Sequence, residues 1–369
     1  MSAIIQPGLR RGIAVPPASK SHLHRLLIAD FLAGGREYLV DDANDAEDVV
    51  ATKRCLRALA TGAEEVVLDC GESGSTMRFM APVAAALGKK AVFKKAGRLA
   101  ERPSIEYSGL KSGLHQIEGN VSSQFVTGLL FALPLLKGDS QIRFLSPLSS
   151  RGYVEMTLDV IGSAGVEIRP VDNGFDVPGS QRYRPLESTA PEGDWSGAAF
   201  WFAANAIGND IAVRGMSEIS RQPDRRIVAA LSTIAKSVEE GSPATIDVNE
   251  FPDSFPVLTV AAACSPANVS FTGIGRLRLK ESDRVAAMHE VLSRFGIPVS
   301  IGKDNFSVSG TAGLLKGGSF PSFGDHRIAM SIAVGATRAQ EPVAIDNIAC
   351  AAKSYPQFFE EFQRLSIKD

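Results

Sequence analysis

Lys20 and Arg25, Arg78, Arg284, Arg327 and Lys353 each lie at or near the opening of a segment that reads as a helix. That is unusual company for a helix start. The N-terminus of a helix exposes unpaired backbone N–H groups and carries partial positive charge, so it favours acidic side chains. The repulsion can be relieved in three ways: the cations project into water, they pair with nearby acids such as Asp283 and Asp325, or an anion occupies the site. Backbone N–H groups backed by guanidinium and ammonium groups form a strong receptor for phosphate or carboxylate. One such opening decides little, but the design recurs along the chain. The repetition points to a site for small, multiply charged anions.

Other chemistry-bearing residues are weaker signals on their own. Ser122, Ser123 and Gln124 place two hydroxyls and an amide at a helix start, suited to polar substrate oxygens, although N-capping alone accounts for one serine. Lys280 to Arg284 reads KESDR, which a solvated helix start explains equally well. Gly71 to Thr76, GESGST, resembles a phosphate loop but lacks the lysine of the GxxxxGK[ST] pattern, so nucleotide triphosphates are poorly supported. The histidines form no HExxH; His22 and His24 read as local polar contacts. Cys55, Cys70, Cys264 and Cys350 are scattered without a CxxC pair, which favours buried free thiols over a metal site or disulfides. Phe200, Trp201 and Phe202 read as core.

Lys and Arg number 39 against 41 Asp and Glu, a net charge of −2 that removes the global electrostatic case for nucleic acid. No apolar run reaches the length of a membrane span, and MSAIIQPGLRRG lacks the apolar stretch of a secretory signal, so a cytoplasmic protein is expected.

The elements that must position these groups follow a pattern. Six segments open with Ser or Asp, continue Ala/Leu-rich and mostly end near Gly: Ser19 to Gly35, Ser73 to Gly88, Ser122 to Gly138, Asp194 to Gly208, Asp253 to Cys264 and Asp325 to Ala339. Each reads as a buried helix behind an N-cap. More amphipathic helices are expected over Ala46–Ala60, Tyr153–Ala164, Asp224–Lys236 and Glu281–Phe295. Short strands are expected over 65–68, 141–145, 211–214, 268–272, 305–308 and 343–345. The alternation predicts α/β architecture, and the spacing a degenerate repeat. At 369 residues the chain suits two domains, with the Pro-rich stretch Arg184 to Asp194 as linker.

Nine motifs then resemble, in order, the enolpyruvyl transferase family. They are SKS-x3-R (Ser19 to Arg25), SGSTMR (Ser73 to Arg78), ERP (Glu101 to Pro103), GNVSSQF (Gly119 to Phe125), GDWS (Gly193 to Ser196), PD (Pro252, Asp253), LKESDR (Leu279 to Arg284), DHR-x-AM (Asp325 to Met330) and AKSYP (Ala352 to Pro356). The resemblance spans about Pro17 to Leu365 and is strongest to the members that use shikimate 3-phosphate. It implies two similar domains of repeated βαβαββ-type units whose buried helices point their N-termini at the cleft between them. One domain would be continuous over 20–191, on the shikimate-phosphate side; the other would combine 1–19 with 192–369. Leu59 to Gly71 and Arg102 to Val121 are too compact for the usual helix and strand pairs, so some units of the first domain are expected to be trimmed.

The reaction so implied moves the enolpyruvyl group of phosphoenolpyruvate to the 5-hydroxyl of shikimate 3-phosphate and releases phosphate, a step of aromatic amino-acid biosynthesis. By resemblance, Lys20, Gly74, Arg102, Gln124, Arg284, Arg327 and Lys353 would hold phosphoenolpyruvate. Lys20, Ser21, Arg25, Ser122, Ser123, Gln124, Ser150, Tyr153, Asp253 and Lys280 would hold shikimate 3-phosphate. Asp253 would take the 5-hydroxyl proton, with Lys20 and Glu281 exchanging the methylene proton. Neither metal nor organic cofactor is implied, nor nucleic acid or membrane, and a monomer is expected. Four positions depart from the family pattern: His24 for Asn, Glu72 for Asn, Gly152 for Pro and Arg276 for Asn. Two alternatives stand beside this expectation. The related transferase acting on UDP-N-acetylglucosamine has a reactive Cys before the RP dipeptide, where this chain reads KKAGRLAERP; a non-catalytic anion binder would have no use for Lys20, Asp253 and Glu281.

Overall fold

Two strands lead the chain, β1 (Ala3–Ile5) and β2 (Arg10–Ala14), and Pro16 and Pro17, which lack a backbone donor, follow them. In the computed structural model, which describes residues 1–105, 107 and 109–367, these strands belong with Gly193–Asp369 in one unit, while Ala18–Glu192 forms another.

The continuous unit runs α1 (Lys20–Leu32), α2 (Glu47–Leu59), β3 (Glu65–Asp69), α3 (Gly74–Ala86), β4 (Lys90–Lys94), β5 (Leu114–Glu118), α4 (Ser123–Ala132), β6 (Ser140–Ser146), α5 (Arg151–Ser163), β7 (Arg169–Val171) and β8 (Gly174–Val177). Strands β3 and β4 pair in parallel across α3, and β5 and β6 across α4. The β7–β8 hairpin extends the second pair into a four-stranded sheet of order β5-β6-β8-β7. Among the described residues of this unit, only this last stretch is a complete βαβαββ unit. The β3–α3–β4 stretch stops at two strands, and α1 and α2 have no strand of their own among the described residues. The trimming expected from the sequence therefore falls on the stretches that precede β5. Helices α3 and α4 are buried on nearly every side, which their Ala, Gly and apolar side chains permit. Gly128 is the contact point: a Cβ there would lie 2.3 Å from the Arg78 carbonyl oxygen.

The discontinuous unit continues with α6 (Trp195–Ala206), β9 (Asp210–Val213), α7 (Ile227–Glu240), β10 (Ala244–Asp247), α8 (Phe255–Ala263), β11 (Asn268–Thr272), α9 (Arg284–Arg294), β12 (Val299–Ile301), β13 (Asn305–Ser309), β14 (Gly318–Phe320), α10 (His326–Ala336), β15 (Val343–Ile345), α11 (Phe358–Arg364) and β16 (Ser366–Ile367). Its sheets have the orders β16-β2-β9, β10-β11-β13-β12 and β1-β15-β14. Each contains one parallel pair, β2/β9, β10/β11 or β14/β15, and the buried helices α6, α8 and α10 precede the second strand of each pair. Trp201, wholly buried, stacks on Phe358 at 4.8 Å between ring centroids and donates from Nε1 to Tyr355 Oη at 3.1 Å.

Several expected boundaries shift for local reasons. Pro134 turns the end of the Ser122 to Gly138 segment into a 3-10 turn, so α4 stops at Ala132. Asp253 does not cap α8; it lies inside a 3-10 turn, Pro252–Ser254, that precedes it. Glu281 and Ser282 stay outside α9 because Asp283 caps it, accepting from Val285 N at 3.1 Å and Ala286 N at 3.0 Å. The Asp224–Lys236 segment begins as a 3-10 turn, Pro223–Arg226, before α7.

Candidate active site

In the continuous unit, Ser19 caps α1 and Lys20 is its first residue. Lys20 Nζ lies 2.8 Å from Asp48 Oδ2, on the first turn of α2. Asp48 is absent from the sequence-derived set, because an acid in a first helical turn is what any helix start favours. Arg25, 3% exposed, donates to Thr157 Oγ1 at 2.8 Å, to Tyr153 O at 2.9 Å and to Ser21 O, and lies over the Phe79 ring. Burial pulls its pKa down to about 10, which leaves it cationic at neutral pH. Arg25 thus ties Ser21 of α1 to Tyr153 of α5.

His24 is buried beside it. Its Nδ1 is 2.7 Å from Thr52 Oγ1, which is 2.7 Å from Thr76 Oγ1, which donates to Ser73 Oγ at 2.8 Å. Burial pushes the imidazole down to about 3, so the folded chain holds it neutral where an unfolded chain titrates near 6.5. Below pH 6.5 the unfolded state binds the extra proton, and stability is lost as pH falls toward 3. Urea unfolding should therefore show the parent losing about 2 to 3 kcal/mol more than His24→Asn between pH 7 and pH 4.5. Parallel losses in the two proteins would refute a neutral, buried His24.

The starts of α3 and α4 converge on a second spot. Arg78 Nη1 donates to Gln124 Oε1 at 2.6 Å, while its Nε and Nη2 donate to Pro103 O at 3.2 and 2.8 Å. Gln124 Nε2 donates to Ser75 Oγ at 2.8 Å. A Cβ on Gly74 would come within 2.7 Å of Arg78 Nη1 and 3.1 Å of Arg102 Nη1, so a larger residue there would push the two guanidinium groups aside. Arg78, noted above only as a helix-opening cation, stands at the centre of this group. Ser122 caps α4 through Gln124 N at 3.3 Å, and Ser123 is buried. Ser150 precedes α5 in the left-handed conformation (φ 55°, ψ 46°), with Tyr153 three residues on. Glu72 is exposed, and its carboxylate lies against Gly97 in the following turn.

The discontinuous unit gathers one ion cluster. Arg284, 1% exposed, donates from Nε to Asp325 Oδ2 at 2.9 Å, from Nη1 to Asp253 Oδ1 at 2.8 Å and from Nη2 to Glu281 Oε2 at 2.9 Å. Lys280 Nζ and Arg327 Nη2 each approach Asp253 to 3.2 Å. Asp325 also caps α10, accepting from Arg327 N at 2.9 Å. Three cations meet three carboxylates, so cations at helix openings find acids here. Asp283 is not the partner of Arg284; besides capping α9 it reaches Arg278 at 3.3 Å. Burial pushes the Asp253 carboxyl up, but Arg327, Lys280 and Arg284 outweigh it and hold the group well below the usual carboxylate range. Burial likewise disfavours the Arg284 cation, and Asp325, Glu281 and Asp253 more than offset that. Arg327 Nε is buried without a hydrogen-bond partner, which leaves a donor for an anion. Lys353 is buried at the end of a 3-10 turn, Ala349–Lys353. Arg276 donates to Asn249 Oδ1 at 3.1 Å. Among the described residues no group of three or more His, Cys, Asp and Glu could hold a metal ion, and no helix is long and apolar enough to cross a membrane.

A family model described as EPSP synthase (3-phosphoshikimate 1-carboxyvinyltransferase) matches residues 95–362. Relatives named 3-phosphoshikimate 1-carboxyvinyltransferase from Clostridium perfringens (strain SM101) and Clostridium kluyveri are each 36% identical to this chain, covering 98% of it and 98% and 96% of their own lengths. The first alignment runs over 417 positions against 369 residues here, so stretches of that relative face gaps, in keeping with the trimmed repeats. An EPSP synthase structure from Acinetobacter baumannii matches with a TM-score of 0.75 at 22% identity, over 100% of this chain and 98% of that one. The enolpyruvyl transferase NikO from Streptomyces tendae matches with a TM-score of 0.67 at 14% identity, over 100% and 97%. The fold agrees with both, and the 36% identity extends over 98% of the chain. On those grounds the chain belongs to the EPSP synthase family, the 3-phosphoshikimate 1-carboxyvinyltransferases.

Proposed function

We propose that the residues described above act on phosphoenolpyruvate and shikimate 3-phosphate. The chain is a transferase of the shikimate pathway, moving the enolpyruvyl group of phosphoenolpyruvate to the 5-hydroxyl of shikimate 3-phosphate. The reaction is an addition followed by an elimination. A proton joins the methylene carbon of phosphoenolpyruvate while the 5-hydroxyl oxygen bonds to its central carbon and loses its own proton. The resulting ketal phosphate then gives up a methyl proton and inorganic phosphate, which restores the double bond.

Asp253 receives the hydroxyl proton, and Lys20 and Glu281 exchange the methylene proton. Arg102, Arg284, Arg327 and Lys353 hold phosphoenolpyruvate, with Gly74 leaving room and Gln124 and Lys20 completing its contacts. Shikimate 3-phosphate takes Lys20, Ser21, Ser122, Ser123, Gln124, Ser150, Tyr153, Asp253 and Lys280, while Arg25 joins in both by charge and by holding Ser21 and Tyr153. No metal or organic cofactor is needed, because the leaving group is already on the substrate. The chain works as a cytoplasmic monomer.

The carrying observation is Asp253 shared among Lys280, Arg284 and Arg327, a carboxylate that anionic substrates must displace from its cations. Phosphate release should be supported by phosphoenolpyruvate with shikimate 3-phosphate and not with UDP-N-acetylglucosamine. Lys20→Met and Glu281→Gln should each lower kcat at least about tenfold. Parent rates in both variants would remove their assigned roles.

A further inference from the structure

We propose that Phe323 forms a water-excluding wall of the phosphoenolpyruvate site and sets how faithfully the enolpyruvyl group reaches its acceptor. The inference rests on Arg327 and Lys353 being phosphoenolpyruvate ligands, as proposed above.

Phe323 has φ 56°, and Gly324 after it has φ 64°. The left-handed region suits glycine, whereas a residue with a side chain gives up about 1–2 kcal/mol there. A bulky aromatic in that region is an outlier. Its side chain is 41% exposed and lies outside the hydrophobic core of its unit, so core burial does not offset that cost. The turn is nevertheless held firmly. Ser322 N donates to Asp346 Oδ1 at 2.8 Å, Ser322 Oγ accepts from Gly324 N at 3.2 Å, and Ser322 O accepts from Asp325 N at 3.0 Å.

These bonds attach the turn to both sources of ligands. Asp325 caps α10, which carries Arg327, and Asp346 leads into the segment that ends at Lys353. An exposed aromatic in an unfavourable backbone state, fixed between two anion-binding elements, fits a residue kept for function rather than for folding. The chemistry supplies the need. Once the methylene carbon is protonated, the central carbon accepts any nearby oxygen. If water adds in place of the 5-hydroxyl, its oxygen bonds to that carbon and loses one proton to the base; the second proton then leaves with phosphate as the carbon–oxygen bond to phosphate breaks, giving pyruvate and inorganic phosphate. An apolar ring at the α10 terminus thins the water available for that side reaction.

The test uses the full chain with phosphoenolpyruvate and shikimate 3-phosphate, measuring Tm, KM for phosphoenolpyruvate, and pyruvate formed per enolpyruvyl product. Phe323→Gly should raise Tm by relieving the backbone, raise the KM about fivefold or more, and release measurable pyruvate, a trade of activity for stability. Phe323→Asn, also tolerant of this backbone but polar, should behave the same way. Phe323→Leu, apolar and equally strained, should keep the parent's product ratio. Parent-like KM and product ratio in both Phe323→Gly and Phe323→Asn would overturn the inference. Arg327→Ala separates the two levels. If it leaves the KM unchanged, the ligand assignment itself fails; if it raises the KM while the Phe323 variants stay parent-like, only the wall is lost.

Discussion

Replacing Arg284 with leucine should destabilise the protein by about 3–5 kcal/mol and abolish measurable turnover. Leucine occupies similar space but leaves Asp325, Asp253 and Glu281 without the fork that now joins them at 2.8 to 2.9 Å. Asp325 is wholly buried, so water cannot replace the lost partner. The sign of the pH dependence identifies the cause. Asp253 and Asp325 are both held below their ordinary pKa in the folded chain. Such groups contribute stability above the unfolded carboxylate range, near pH 4, and lose it as pH falls through their folded values. Removing Arg284 raises both pKa values and cancels that contribution. The gap between parent and variant in urea unfolding should thus be wide at pH 7 and narrow below pH 4. A gap of equal size at both pH values would mean that lost packing, not unpaired charge, is responsible. Arg284→Lys keeps the charge without the fork; it should fold with a smaller loss and still bind phosphoenolpyruvate poorly, because one ammonium cannot serve three carboxylates in fixed directions.

Much of this cluster is legible in the sequence. Lys280, Glu281 and Arg284 fall within five residues, and the DHR run announces Arg327 behind its own N-cap. The alternative of pairing with Asp325 was visible, but the further convergence on Asp253 depends on a 3-10 turn that sequence periodicity does not describe. The buried helices read clearly because Ser or Asp caps and Ala-rich runs are local signals. Strands were less legible. β11 and β15 match their expected spans, whereas β4 (KAVFK) carries lysines at both ends, and β7, β12 and β14 are three residues long. Such strands are defined by partners far along the chain, a cause no short window contains. Asp48 escaped for a related reason. Its partner, Lys20, is one helix away, and an acid in a first turn explains itself without a partner. Arg78 shows the reverse: its position was noticed, but its role follows from Gln124 and Pro103, which the fold alone brings to it.

Asp253→Asn should lower kcat about a thousandfold while leaving the KM for phosphoenolpyruvate unchanged or reduced. The two effects have one source. In the free chain Asp253 neutralises Lys280, Arg284 and Arg327, and their combined field holds its carboxyl well below the usual range. A carboxylate in that state is a weak base. If Asp253 is the base proposed above, its proton affinity must rise before it takes the 5-hydroxyl proton, and bound anions would supply the means. On the proposed assignment, an anion bound at Arg327, Arg284 or Lys280 would draw positive charge away from Asp253 and place negative charge beside it, and both changes push its pKa up. On that assignment, the base is therefore stronger with substrates bound than in the free chain. Two pH profiles separate this account from a base of fixed strength. The acid limb of kcat/KM reports the free enzyme and that of kcat the substrate complex, so the kcat limb should lie at the higher pH. Asparagine at this position frees the cations from their internal competitor, which is why binding should hold or tighten as turnover collapses. Coincident acid limbs in the parent, together with a raised KM in Asp253→Asn, would show that Asp253 serves mainly to bind substrate.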